Sequence, residues 1–188
     1  MEEHDILRVI SGTARGHKLK TIKGNNTRPT SDRVKESLFS IIAGIIPNSN
    51  VLDLYAGTGS IGIEALSRGA RLAYFVDKSR GCYALIKDNL ENTKLVDRGY
   101  VVLADVFSAL NRLGRDGNRF DIIFVDPPYG QGLIEETLKY IENNDIIGSR
   151  GIIIAEHDIN DNIPAIIGGL KRYRQQKYGD TVMSFFKA

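Results

Sequence analysis

From Ser31 the apolar residues Val34, Leu38, Ile41, Ile42 and Ile45 recur at helical spacing, and Pro47 closes the segment. The pattern then changes. VLDLY, RLAYFVD, YVVLAD, FDIIFVD and GIIIAE are short runs rich in branched residues, with the length and composition of buried strands. The segments between them can hold helices, for example Gly62 to Arg68 and Leu133 to Asn143. Strands alternating with helices predict βαβ units, hence an α/β fold with a mostly parallel sheet covered by helices on both faces. RYRQQKY and TVMSFF flank Gly179-Asp180, a hairpin signal that places an antiparallel strand in that sheet. Upstream, RVISG and HKLKTI surround TARG and read as another hairpin, over residues 8 to 22.

Composition narrows the picture further. A chain of 188 residues, 42% hydrophobic, is long enough for one well-cored domain and at most a small appendage. No apolar run reaches the roughly 18 residues that cross a bilayer, and the start of the chain is acidic, so a cytoplasmic protein with no membrane partner is expected. Cys82 stands alone, and His4, His17 and His157 show no metal-ligand spacing, so no metal site is expected. The net charge of +2 is uninformative, but its distribution is uneven. Between Ile6 and Lys35 stand Arg8, Arg15, Lys18, Lys20, Lys23, Arg28, Arg33 and Lys35 against the single acid Asp32. That is either a contact surface for a polyanion or a solvated basic face. Lys171, Arg172, Arg174 and Lys177 form a second, smaller cluster.

Four of the predicted strands end at an acid: Asp77, Asp105, Asp126 and, less simply, Glu156. In an open parallel sheet the ligand crevice lies beyond the carboxyl ends of the strands, so these side chains converge on one rim. Capping of the following helix is the competing role, most of all for Asp105 before VFSAL. VLDLYAGTGSIGIEAL carries G-x-G-x-x-G at Gly57, Gly59 and Gly62 between a strand and a helix, the context of a dinucleotide site. Asp53 argues against a dinucleotide, because a carboxylate beside the turn repels a pyrophosphate. S-adenosylmethionine, with an ammonium, a sulfonium and no phosphate, reverses the sign. Asp77 then accepts from the ribose hydroxyls and Asp105 from the adenine amine.

Asp126-Pro127-Pro128-Tyr129 follows the fourth strand. The two prolines fix φ twice and remove two donors, leaving a stiff ledge of acceptors. Such a ledge binds a donor-rich group such as the exocyclic amine of a nucleobase. Held by two acceptors, the amine turns its lone pair towards a methyl donor, Asp126 is placed to take the released proton, and Tyr129 offers a face for stacking.

DLYAGTG with Asp126-Pro-Pro-Tyr129 resembles the S-adenosylmethionine-dependent amino-methyltransferases. RVISGTARGHKL, TRPTSDRVKESLF, VLDLYAGTGSIGIEALSRGA and FVDPPYGQGLIEETL, in that order, resemble the bacterial ribosomal RNA small-subunit methyltransferase D family, which methylates a guanine N2 of 16S rRNA. The likeness runs over most of the chain and weakens after about residue 150. It implies a Rossmann-like class I methyltransferase: a seven-strand sheet with one antiparallel strand over residues 28–188, and an RNA-contacting hairpin extension over residues 1–27. The partner it implies is the small ribosomal subunit or its assembly intermediate, met by a monomer. It places Asp126, Pro127, Pro128 and Tyr129 in the catalytic loop. It places Asp53, Gly57 and Gly59 in the methionine-binding turn, and Arg28, Thr30 and Arg33 in the piece that closes over the cofactor and faces the RNA. Tyr55, Asp77, Asp105 and Val106 are the other residues expected at the cofactor, and Arg8, Arg15, Lys18 and Lys35 the others expected on the RNA. Asp77 stands where glutamate is more usual and Lys35 where arginine is usual, so any phosphate contact of Lys35 is a point-charge one.

Other uses of the same loop are adenine N6 in DNA and a glutamine amide in protein. The first normally needs a recognition insertion for which no segment is spare, and the second usually carries asparagine in place of Asp126. A non-catalytic RNA-binding assembly factor needs only the basic N-terminal part and leaves the glycine turn and DPPY unexplained.

Overall fold

Each of the five apolar runs becomes a strand of one sheet; β1, β2, β4 and β5 bury residues on both faces, while β3 lies at the sheet edge with Tyr100 and Leu103 exposed. The computed structural model describes residues 7–21, 32–128 and 132–188. Helix α1 (Asp32–Ile41) leads through a single 3-10 turn into β1 (Asn50–Leu54) and α2 (Ser60–Ser67). There follow β2 (Leu72–Asp77), α3 (Arg80–Asn92), β3 (Gly99–Leu103), α4 (Val106–Arg115), β4 (Phe120–Val125), α5 (Leu133–Asn143) and β5 (Ile147–Asp158). The chain closes with β6 (Ile166–Ile167), β7 (Leu170–Tyr178) and β8 (Thr181–Lys187). The sheet order is β3-β2-β1-β4-β5-β8-β7-β6. Strands β1 to β5 are parallel, β8 lies antiparallel between β5 and β7, and β6 pairs antiparallel with β7. The described residues thus form eight strands where seven are expected, with two rather than one opposed to the parallel set. The extra strand is two residues long, too short to leave a periodic signal.

On one face Val51, Ile122, Phe124, Ile154 and Phe185 pack with α1, α2 and α3 through Phe39, Leu66 and Ile86. On the other, Leu52, Leu54, Ile123, Val125 and Phe186 pack with α4 and α5 through Leu110, Leu113 and Leu138. Burial on both sides is why the central strands β1, β4 and β5 read as continuous apolar runs. No helix among the described residues is long and apolar enough to cross a membrane.

The N-terminal hairpin is present with one antiparallel bridge, Arg8 to Lys18, rather than a ladder. Its spare backbone donors are taken by α2. Glu64 is fully buried and accepts from Ile10 N at 2.8 Å, Ser11 N at 3.0 Å and Arg68 Nε at 2.7 Å. Ser67 accepts from Thr13 N through its carbonyl at 2.9 Å and from Ala14 N through its hydroxyl at 2.9 Å. Leu7, Val9, Ala14 and Leu19 join the same apolar cluster as α1 and α2. The hairpin is therefore cored into the sheet's first face.

Lys35 completes this junction. It has no exposed surface, donates to the Arg8 carbonyl at 2.6 Å and lies 3.6 Å from Glu64 Oε2. Burial lowers its pKa, and the charges of Glu64 and then Asp32 work against that shift. Truncating one member of a buried pair strands the other, at about 3–5 kcal/mol. Glu64→Ala is therefore expected to lower the urea unfolding free energy by about that amount, and to speed hydrogen exchange at the Ile10 and Ser11 amides more than at the amides of β4.

Candidate functional site

Five parallel strands bring their carboxyl ends to one rim. Strand register sets which acids meet there. Val125 of β4 lies opposite Leu54 of β1 and Ala155 of β5. Asp126, one residue further, therefore stands beside Glu156 and above Asp53. In β2, Asp77 is the last residue and pairs with Leu103 of β3, two positions before Asp105.

The glycine turn joins β1 to α2. Gly57 and Gly59 have φ of 55° and 76°, the left-handed region where a Cβ is strained. Gly62 has a different role: a Cβ there would sit 2.3 Å from the Phe75 ring, so its absence lets α2 press onto β2. Two acids fasten the turn. Asp53 Oδ2 accepts from Gly62 N at 2.9 Å, supplying from a neighbouring strand the acceptor that the helix lacks at its Gly59 cap. Asp77 accepts from Gly57 N at 2.9 Å through one oxygen and from Ser79 N at 2.8 Å through the other. Asp105 caps α4, accepting from Phe107 N at 3.0 Å and Ser108 N at 3.1 Å. Capping and ligand contact do not exclude one another, because an ionised carboxylate has about four acceptor sites.

Charge in the crevice is crowded. Asp53 is only 4% exposed, and its pKa is raised to about 7, first by burial and to a lesser degree by Asp77, against the opposing bond from Gly62. Asp126 is reachable from the rim. Yet its carboxyl is pushed well above the ordinary carboxylate range, first by loss of hydration in the crevice and then by Glu156 and Asp53. A cation entering here meets acids that its arrival would ionise, whereas a pyrophosphate would push their pKa values higher still. This set of acceptors suits a cationic ligand with hydroxyls.

The expected cofactor residues Asp53, Gly57, Gly59 and Asp77 gather around the turn, and Asp105 stands at the mouth of the neighbouring strand. Val106 is different, since its side chain is buried in the apolar cluster under α4. Tyr55 adopts φ of 60°, and its hydroxyl reaches Thr137 Oγ1 of α5 at 2.8 Å. A left-handed tyrosine is costly by about 1–3 kcal/mol and is held only where its surroundings dictate it. Here it ties the glycine turn to the helix that follows the DPPY loop. Pro127 is buried and Pro128 exposed, while Tyr129 lies outside the described residues.

Of the basic residues, Arg8, Arg15, Lys18 and Arg33 are exposed, Arg8 bonding Asp32 at 2.9 Å. Arg28 and Thr30 lie outside the described residues, as does the boundary between residues 27 and 28. Lys35 corrects the expectation of a phosphate contact, because its ammonium is turned inward onto Arg8 and Glu64. One residue that sequence reasoning overlooks is Asn89 of α3, which is fully buried. It pairs with both backbone groups of Lys20, at 2.8 and 3.1 Å, and donates to the Thr58 carbonyl in the glycine turn at 3.0 Å. The hairpin and the turn thus share one side chain. Among the described residues no cluster of His, Cys, Asp and Glu is arranged to hold a metal.

A family model described as conserved hypothetical protein 95 matches residues 7–187. A Bacillus subtilis (strain 168) protein described as "Putative rRNA methyltransferase YlbH" is 38% identical over 181 residues, 96% of this chain and 98% of the relative. The Escherichia coli (strain K12) "Ribosomal RNA small subunit methyltransferase D" is 32% identical over 181 residues, 96% of this chain and 89% of the relative. A solved structure described as "Putative methyltransferase yhhF from Escherichia coli" superposes with a TM-score of 0.85 at 33% identity, covering 95% of this chain and 96% of that one.

A group whose pKa rises on folding contributes stability at low pH that is lost as pH climbs through the folded value. For Asp53 that window runs from about 4 to about 7. Asp53→Asn keeps an oxygen for Gly62 N and removes the titration. The melting temperature of the wild type, measured without ligand, is expected to fall relative to this variant between pH 5 and pH 7.5.

Proposed function

The chain belongs to the conserved hypothetical protein 95 family, and on that premise we propose that it transfers a methyl group from S-adenosylmethionine to the exocyclic N2 amine of a guanine in 16S ribosomal RNA. The observation that carries the reading is the crowding of Asp53, Asp126 and Glu156 towards the carboxyl ends of three adjacent strands, beside a left-handed glycine turn. That arrangement favours a cationic cofactor and an amine to be methylated. The relatives' names supply the substrate class, ribosomal RNA of the small subunit.

Asp53, Gly57, Gly59, Asp77 and Asp105 hold the cofactor, with Tyr55 fixing the turn through Thr137. When bound there, S-adenosylmethionine supplies an electrophilic methyl group. Asp126 and the carbonyls of the following prolines accept the two N–H bonds of the guanine amine and so aim its lone pair. Its raised pKa makes the Asp126 carboxylate a stronger base than a surface aspartate, suited to taking the proton released as the N–C bond forms. Tyr129 stacks on the base taken out of its helix. The hairpin's outward cations Arg15 and Lys18, with Arg8, Arg28, Thr30 and Arg33, meet the RNA backbone.

Asp126→Ala is expected to reduce kcat by on the order of 10²–10⁴ while cofactor affinity and RNA affinity stay within a few-fold of wild type. Small-subunit RNA from cells lacking the protein serves as acceptor, and mass spectrometry of the labelled nucleoside reads the product. Label in N6-methyladenine or in protein overturns the assignment, as does undiminished transfer by the variant. Cofactor affinity measured by calorimetry is expected to strengthen as pH rises from 6 to 8 with release of a proton. In Asp53→Asn the affinity falls by about 1–3 kcal/mol and loses that pH dependence.

A further inference from the structure

The β7–β8 hairpin carries five cations, Lys171, Arg172, Arg174, Lys177 and Lys187, against the single acid Asp180 between residues 170 and 187. Cross-strand register sorts them by face. Lys171 lies opposite Lys187, Arg174 opposite Phe185 and Tyr178 opposite Thr181, so these share the face that carries α1 and the N-terminal hairpin. Arg172 and Lys177 lie opposite Phe186 and Val182 on the other face. The register slips between Arg172 and Arg174, so Tyr173 is the extra residue of a bulge, and bulges re-aim side chains. The Tyr173 ring contacts Phe185 at 6.2 Å between centroids, has the Lys187 ammonium 5.5 Å above it, and remains 46% exposed. Arg174 lies 5.9 Å over the Phe185 ring. Lys171 and Lys187 directly opposite one another cost stability, a cost that a polyanion seated across them would remove.

The strip is also joined to the rim. Tyr178 bonds Ser37 of α1 at 2.6 Å, and Thr181 lies opposite Asp158 at the carboxyl end of β5. From Tyr178 to Lys171 the strand runs about 20 Å, long enough for several phosphates of an extended strand. Alternating cations with one exposed ring match a single-stranded nucleic acid, whose phosphates take the charges and whose base takes the ring.

We propose that Lys171, Tyr173, Arg174 and Lys187 form a second contact surface for the substrate RNA, holding a single-stranded segment on the sheet face that also carries the N-terminal hairpin. The inference rests on the reading of the chain as an RNA-modifying enzyme.

The test uses the whole chain and 16S ribosomal RNA from cells lacking the protein. Tyr173→Ala is expected to weaken RNA binding by on the order of tenfold. Lys171→Gln with Arg174→Gln and Lys187→Gln is expected to shallow the slope of log affinity against log salt by about 2. Both raise the KM for RNA and leave kcat and cofactor affinity within twofold. Unchanged RNA affinity and salt slope in variants that still transfer methyl groups overturn the strip alone. The same result with new self-association identifies the lysines as guards of an open sheet edge and likewise overturns it. Loss of binding only to the assembled 30S particle, with free RNA unaffected, assigns the strip to an acidic protein surface and also overturns it. A wild type that neither binds the RNA nor transfers methyl groups sinks the functional reading instead.

Discussion

The buried carboxylate of Glu64 joins parts of the chain that lie more than fifty residues apart. It accepts the amides of Ile10 and Ser11, which a hairpin this short leaves unpaired, and it faces Lys35 of α1 and Arg68 of its own helix. Without that acceptor the hairpin would bury two N–H groups with no partner, and Lys35 would be an uncompensated charge. The outward cations of the hairpin owe their position to it. So does the seat of α1, because Lys35 sits within the apolar stripe that α1 lays on the sheet.

A second constraint follows from the first. Helix α2 holds the hairpin through Glu64 and Ser67 and starts from the glycine turn, while Asn89 spans from the hairpin to that turn. The elements assigned to RNA and to cofactor are thus built on one helix and cannot move far independently. The crevice itself is electrostatically unfavourable when unligated, with Asp53 and Asp126 both held above their usual pKa. Its strain is local: the left-handed Tyr55 is anchored to Thr137, so the adjoining turn keeps its shape.

Much of this was legible from residue order. The switch between periods locates the five parallel strands, the helical segment Leu133–Asn143 matches α5 residue for residue, and Gly179-Asp180 marks the final hairpin. The acids at strand ends pointed to the rim because strand polarity, once the sheet is parallel, leaves them no other place. Burial of charge was harder to read. Counting basic residues treats every lysine as a surface group, yet Lys35, Leu38, Phe39 and Ile42 form one helical stripe, and an acid inside GIEAL is its natural partner. That pair of signals would have found the junction. Asn89 left no comparable mark, because an amide bridging two backbone segments depends on a tertiary approach that no local pattern encodes. The bulges at Tyr173 and between Ile147 and Ile152 also arise from sheet geometry rather than from composition.

Strand β8 lies between β5 and β7 although it follows both in the chain. The β7–β8 hairpin forms from neighbouring residues and can close early, whereas its attachment to β5 must wait for the parallel core, whose crossovers assemble slowly. Until it docks, β5 presents Ile152, Ile153, Ile154 and Ala155 along an unpaired edge, the kind of template that recruits strands from other molecules. Folding of this chain is therefore a race at one edge, and the side that wins is decided by how quickly a local hairpin covers a run of isoleucines.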